Sequence, residues 1–358
     1  MSKKRVTLKF LSERTGFDVS TISRVLRNDA AVSIRPENME LIKRIAREFN
    51  YVPDTAARSL RSSRSYSIGT VLPSLQNQIH AQIVEGASRV CRERGYSLVI
   101  AHLANEISPQ QVVGDLINHN RIEGLMSLTF RPELREMVNS GDHEIPVMAV
   151  NWRASGFRNY VALDERPGAR MATEHLLDLG HRRIAHLSGD RRRFNAAERF
   201  AGYQDALDAR GIAVDPALIE VAGYGYEEGF RAMSALVARS PGAFTAVFAV
   251  SLLTAAGAIA VMNRHGIRVP EDVSVVGFND GMLAEVTNPT ITTVAYPLDQ
   301  VGASAAEGMI SLLEGRLETY QDVIGAPKLM RRSSTAEPAR PRAIRTGSRQ
   351  QISKNTAS

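Results

Sequence analysis

At 358 residues, with 44% apolar and 23% charged side chains, the chain is too long for one ordinary core and is composed like a soluble globular protein of two or three domains. A single cysteine, Cys91, excludes an internal disulfide, and the basic start MSKKRVTLKF lacks the apolar stretch of a secretion signal, so a cytoplasmic protein is expected. The net charge of +6 divides into +7 on residues 1–64, +7 on residues 326–358 and −8 between them, which favours a polyanionic partner at an end and keeps the body away from it.

Thr7 is placed to cap a first helix running through Leu8, Phe10 and Leu11 to Thr15, and Gly16 supplies a tight turn. Asp18 caps a second helix, Val19 to Leu26, in which Ile22, Val25 and Leu26 share one face while Ser20 and Arg24 lie four apart on the other. A third helix begins near Ser33, tolerates Pro36 in its first turn and stacks Ile42, Ile45, Ala46 and Phe49. Helix, glycine turn, helix and bracing helix is the helix-turn-helix arrangement, which would put Val19 and Ser20 against base edges in a major groove and Arg24 one turn on. A plain three-helix bundle with Ser and Arg on its surface satisfies the same pattern.

Residues 51–66 read as a linker holding one short helix capped by Asp54, far below the about 12–15 residues an isolated helix needs. From residue 67 to about 330, apolar strands alternate with amphipathic helices. Strands are predicted at 67–72, 97–102, 124–129, 146–150, 160–163, 183–188, 246–250 and 273–277, and helices at 79–94, 109–118, 133–140, 166–179, 196–210, 226–239, 252–264 and 299–314. That alternation predicts an α/β fold: two doubly wound parallel-sheet lobes with a cleft between them. The uncharged run 240–263 reads as buried strand plus buried helix, since Ser240-Pro241-Gly242 opens it and Ser251, Thr254 and Gly257 interrupt it. The domains are therefore placed at 1–52 (head), 53–66 (linker), 67–332 (two-lobed body) and 333–358 (Ser-, Pro- and Arg-rich tail, expected to be disordered).

Signs of catalysis are few. His175, His181 and His186 fall on a helix end, a turn and a strand, without the i, i+4 spacing of a helical zinc motif, and no phosphate loop or G-x-S-x-G is present. Neither an enzyme nor a cofactor or metal is expected.

The segment VTLKFLSERTGFDVSTISRVLRN, residues 6–28, resembles the opening of the LacI/GalR family of transcriptional regulators, whose recognition helix reads V-S-x-x-T-V-S-R-V-L; Asp18 stands where the family usually has Ser. Asn50-Tyr51-Val52-Pro53 resembles its G-Y-x-P, and matches continue to about residue 338. The resemblance implies a helix-turn-helix head, a hinge helix and a periplasmic-binding-protein-like body. It implies DNA contacts from Thr7, Val19, Ser20, Thr21, Ser23, Arg24 and Asn28, and a paired hinge helix in the minor groove where Leu60 wedges between base pairs beside Arg58 and Arg61. Without the resemblance, Leu60 reads as a contact against the body.

The effector site implied by the same resemblance lies between the lobes. Pro73-Ser74-Leu75-Gln76-Asn77 resembles P-D-I-x-N, so Ser74 is expected there, with Ile79 and His80 where two aromatics often follow. Asn151 is expected to point into the cleft; Trp152 either stacks on a sugar or packs the lobe. Arg199 is expected to grip ligand oxygens bidentately, joined by Ser251, Asn279 from G-F-D-D, and Tyr296 from T-T-V-x-x-P. Ser251-Leu252 replaces a segment in which the family carries an acid. Arg191 to Arg193 form either a solvated loop or an anion contact at the cleft mouth.

The implied function is a homodimeric, sequence-specific repressor on double-stranded operator DNA, with half-sites about one helical turn apart, modulated by a sugar, sugar phosphate or sugar acid. The alternative is a DNA-binding regulator with a degenerate, ligand-independent cleft. No membrane partner is expected.

Overall fold

Thr7 starts the first helix as its side chain predicts, accepting from the Phe10 amide at 3.2 Å, and α1 (Leu8–Thr15) ends at Gly16 with φ of 75°. Helix α2 spans Val19–Leu26 and α3 spans Pro36–Glu48. Leu11, Ile22, Val25, Ile42 and Ala46 close their shared core. The computed structural model describes residues 6–26, 32–49, 51, 64–103, 108–118, 121–129 and 145–339, which divide into one unit at 1–64 and another at 65–358. The predicted short helix at 54–60, the predicted helix at 133–140 and the tail from 340 lie outside the described residues.

In the second unit, lobe 1 holds β1 (Ser67–Leu72), α4 (Gln78–Glu93), β2 (Ser97–His102), α5 (Pro109–Asn118), β3 (Gly124–Ser127), β4 (Val147–Val150) and β5 (Tyr160–Leu163). Lobe 2 holds α6 (Glu165–Asp178), β6 (Ile184–Ser188), α7 (Phe194–Asp208), β7 (Ile219–Val221), α8 (Tyr226–Arg239), β8 (Ala246–Ala249), α9 (Leu252–Arg264), β9 (Ser274–Phe278), α10 (Met282–Val286) and β10 (Thr292–Ala295). Helix α11 (Leu298–Leu313) and β11 (Gln321–Ile324) return to lobe 1, and β12 (Lys328–Met330) ends in lobe 2. The sheets order as β11-β5-β4-β3-β1-β2 and β12-β10-β9-β8-β6-β7, all parallel except β12 against β10. Each strand of one lobe thus has a counterpart in the other, with β4 matching β9. The chain crosses between lobes at 163–165, 295–298 and 324–328.

Central strands are apolar on both faces because helices cover both, as parallel sheets require. Close helix pairing rests on glycines: a Cβ on Gly302 of α11 would stand 1.7 Å from the Ile83 carbonyl oxygen on α4, and one on Gly86 of α4 would stand 1.9 Å from that of Asp299. The uncharged run 240–263 divides into β8 and α9, and no helix among the described residues is long and apolar enough to cross a membrane.

The tail expectation needs correcting at its start. Ser334 is wholly buried; its hydroxyl accepts from the Thr292 amide (2.8 Å) and donates to the Val275 carbonyl (2.6 Å). His175 meets the Thr335 hydroxyl at 3.0 Å, and His181 meets Ala336 O at 2.9 Å and Thr245 Oγ1 at 2.9 Å. Small hydroxyl residues anchor this segment through polar pairing, which hydropathy does not register.

The third histidine sits apart. His186 is wholly buried, stacked on Phe248 with ring centroids 4.7 Å apart, and its Nδ1 donates to the Phe248 carbonyl at 2.9 Å. Burial, only partly opposed by that carbonyl, pushes its pKa from 6.5 down to about 4. The folded state refuses a proton that the unfolded state accepts, so the neutral ring's contribution is complete above 6.5 and is lost as pH falls toward 4. Urea midpoints between pH 7 and 4 are expected to fall more steeply for the parent chain than for His186→Phe; parallel slopes would refute this assignment.

Candidate functional site

Two surfaces carry chemistry, one on each unit. On the head, the Asp18 carboxylate caps α2: Oδ1 accepts from the amides of Ser20 and Thr21, both at 2.9 Å, and from Ser20 Oγ at 2.6 Å, while Oδ2 accepts from Thr21 Oγ1 at 2.6 Å. These hydrogen bonds, led by the Ser20 hydroxyl, hold the Asp18 carboxyl well below the usual carboxylate range. Because both hydroxyl protons point at Asp18, Ser20 and Thr21 offer lone pairs outward, acceptors suited to a base amino group. Ser20 and Arg24 are exposed, Val19, Thr21 and Ser23 half-buried, and Thr7 lies exposed at the start of α1. Asn28, Arg58, Leu60 and Arg61 lie outside the described residues.

In the body, a cleft of about 1450 Å³ opens between the lobes, walled by the segments that follow β1, β3, β4, β6, β8 and β9. All are carboxyl ends of parallel strands, where open α/β sheets bind ligands. Ser74, Ile79, His80, Asn151, Trp152, Arg199, Ser251 and Asn279 line it. Asn151 and Asn279 follow the matched strands β4 and β9, with φ of 65° and 64°, the left-handed conformation that Asn accepts more readily than most residues. The buried Oδ1 atoms of both, and the Tyr224 hydroxyl, meet no hydrogen-bond partner among the described residues. Buried polar atoms are nearly always paired, so such a trio in a cleft points to a ligand.

Arg199 lies on the floor, 1% exposed, its guanidinium 4.0 Å from the Phe278 ring centroid. Its Nε and Nη2 donate to Glu165 Oε2 at 2.7 Å and Oε1 at 3.0 Å, and its Nη1 to the Val250 carbonyl at 2.6 Å. Burial opposes the charge on Arg199, but the Glu165 carboxylate outweighs it and holds the pKa above the ordinary guanidinium value. Asn195 Nδ2 completes the network, donating to Glu165 Oε1 and to the Asn151 carbonyl, both at 2.8 Å. The expected bidentate edge of Arg199 therefore faces Glu165 rather than the cleft.

Further expectations change. Tyr296 does not line the cleft: its hydroxyl donates to the Asp164 carbonyl, and its ring packs 5.6 Å from Phe278, beneath the floor. Trp152 borders the cleft but is 6% exposed, donates to the Ser127 carbonyl at 2.8 Å and sits edge-on to Phe157, which is lobe packing. Ser251 caps α9, accepting from the Thr254 amide at 3.0 Å and donating to the Tyr224 carbonyl at 2.8 Å. His80 Nδ1 donates to the Ser74 carbonyl at 2.8 Å. Of the arginine run, Arg192 is held by Asp190 at 2.7 Å and Arg191 lies over the Phe200 ring. Glu165, Asn195 and Tyr224 had no assigned role in the sequence reading. Glu165 stands one residue before the helix predicted at 166–179, with partners 30 and 34 residues further along the chain, and Tyr224 follows the three-residue strand β7, too short to show a period.

The chain matches the family model of a periplasmic binding protein-like domain over residues 173–335. It is 32% identical over 332 residues to the HTH-type transcriptional regulator CelR of Thermobifida fusca, covering 90% of this chain and 95% of that one. The structure of a CelR–cellobiose complex superposes with a TM-score of 0.69 at 30% identity, over 92% of this chain and all of that one. The lac repressor dimer bound to operator and the anti-inducer ONPF superposes with a TM-score of 0.73 at 25% identity, over 93% of this chain and all of that one.

Proposed function

The chain belongs to the LacI/GalR family of transcriptional regulators, and from that premise we propose a cytoplasmic repressor that binds operator DNA as a homodimer and whose affinity responds to a sugar or sugar derivative held between its lobes. The observation that carries the ligand-responsive part is the pair Asn151 and Asn279, which bring unpartnered buried oxygens to one cleft from matched strands. Each of these oxygens is an acceptor without a partner among the described residues, which suits the hydroxyl groups of a ligand. Ser74, Ile79, His80, Arg199 and Ser251 complete the assigned wall.

On the head we assign base and phosphate contacts to Thr7, Val19, Ser20, Thr21, Ser23, Arg24 and Asn28, and hinge contacts to Arg58, Leu60 and Arg61. Ligand acts by biasing how the lobes sit on each other and hence the spacing of the paired hinges, a coupling between distinct sites. Arg24→Ala is expected to weaken specific operator binding by about 1–3 kcal/mol, and the affinity of the parent chain to fall log-linearly with salt. Fluorescence anisotropy on a labelled operator selected from random duplexes checks both; an Arg24→Ala affinity equal to the parent's would remove that contact.

A further inference from the structure

We propose that Glu123 is a positioning residue for operator binding: by holding the Tyr66 amide it fixes the direction in which the chain leaves the body for the head. The inference rests on the regulator reading. The two units divide between Arg64 and Ser65, so residues 65–67 are where the linker enters the body. There Tyr66 has φ of 50°, a left-handed conformation that is uncommon for an aromatic side chain. Among the described residues, the other non-glycine residues with positive φ are Asn151 and Asn279 in the cleft and Ala326 on the crossing at 324–328. Such conformations persist only where the surroundings over-determine them, and they gather at functional positions.

Glu123 Oε1 accepts from the Tyr66 amide at 2.5 Å, a short, charge-assisted bond. The Tyr66 carbonyl accepts from the Ser97 amide, and the Ser67 carbonyl from the Glu123 amide, both at 2.8 Å. The Tyr66 ring centroid lies 5.8 Å from that of buried Tyr96. The bend therefore opens β1 and is fastened to the start of β2 and to the residue before β3. Leu128, just past the carboxyl end of β3, and Pro73, just past that of β1, line the cleft, so the linker is tied to strands that run to the cleft wall. Glu123 reaches Tyr66 from 57 residues along the chain, and its side chain can be changed without altering any backbone donor or acceptor. A homodimer must set two heads on half-sites about one helical turn apart. Once one head is bound, the effective concentration of the other depends on the stiffness and reach of the connection. Releasing the bend at Tyr66 widens the directions open to the linker and lowers that effective concentration, while each head keeps its own contacts.

The test compares two labelled duplexes by fluorescence anisotropy with the full chain: the operator selected from random duplexes, and one carrying a single half-site of it. Glu123→Ala is expected to weaken binding to the whole operator on the order of tenfold, while its half-site affinity stays within about twofold of the parent's. Glu123→Gln offers an amide oxygen to the same N–H and is expected to return the ratio of the two affinities to within about threefold of the parent value. A damaged head would weaken both duplexes alike, and Trp152 fluorescence in urea shows whether the body of each variant is folded. Should Glu123→Ala not fold, Tyr66→Pro, which sets φ at about −65° and removes the N–H, is expected to lower the ratio in the same way. A ratio equal to the parent's in folded Glu123→Ala or Tyr66→Pro, or a Glu123→Gln ratio as low as that of Glu123→Ala, overturns the proposal. Absence of operator binding by the parent chain would defeat the regulator reading, whereas parent binding with an unchanged ratio in the variants defeats only this one.

Discussion

Glu165→Ala is expected to destabilise the body by about 3–5 kcal/mol, because it leaves the Arg199 guanidinium charged and buried without its partner. The loss exceeds that of an exposed, solvent-screened pair such as Arg170–Glu174, whose side chains are 51% and 38% exposed. Removing both charges tests the cause. Glu165→Leu with Arg199→Met is expected to recover much of the loss, since an apolar replacement of a buried pair is often neutral. Trp152, the only tryptophan, reports urea unfolding of the body directly. An equal midpoint for Glu165→Ala and the parent chain would show that Arg199 finds other compensation.

Gly302→Val is expected to cost about 3 kcal/mol or more, at the upper end of overpacking. The atom in the way is the Ile83 backbone oxygen, 1.7 Å from an added Cβ, and backbone within a helix cannot rotate aside. The reciprocal approach of Gly86 to Asp299 blocks the obvious relief, a slide of α11 along α4. Gly325→Ala is the control: nothing lies within 4 Å of its added Cβ, and the change is expected to stay within about 0.5 kcal/mol. The comparison is read from thermal midpoints, and similar values for the two variants would mean that the helices separate at little cost.

Local information determined much of this protein. The caps Thr7 and Asp18, the turn at Gly16 and the i, i+3, i+4 stripe of α2 follow from side chains within a few residues of one another, and the helix-turn-helix head follows from them. The body's strand–helix alternation is likewise a local periodicity, and it brought the parallel lobes and the carboxyl-end cleft with it. The tertiary structure alone decided partners far apart in the chain. It aimed Arg199 at Glu165, turned Tyr296 to the Asp164 carbonyl, set Trp152 into lobe packing and buried Ser334 between Thr292 and Val275. Hydropathy patterns record which face of an element is buried; they do not record which buried donor meets which acceptor, because that depends on how distant segments are superposed when the two lobes form.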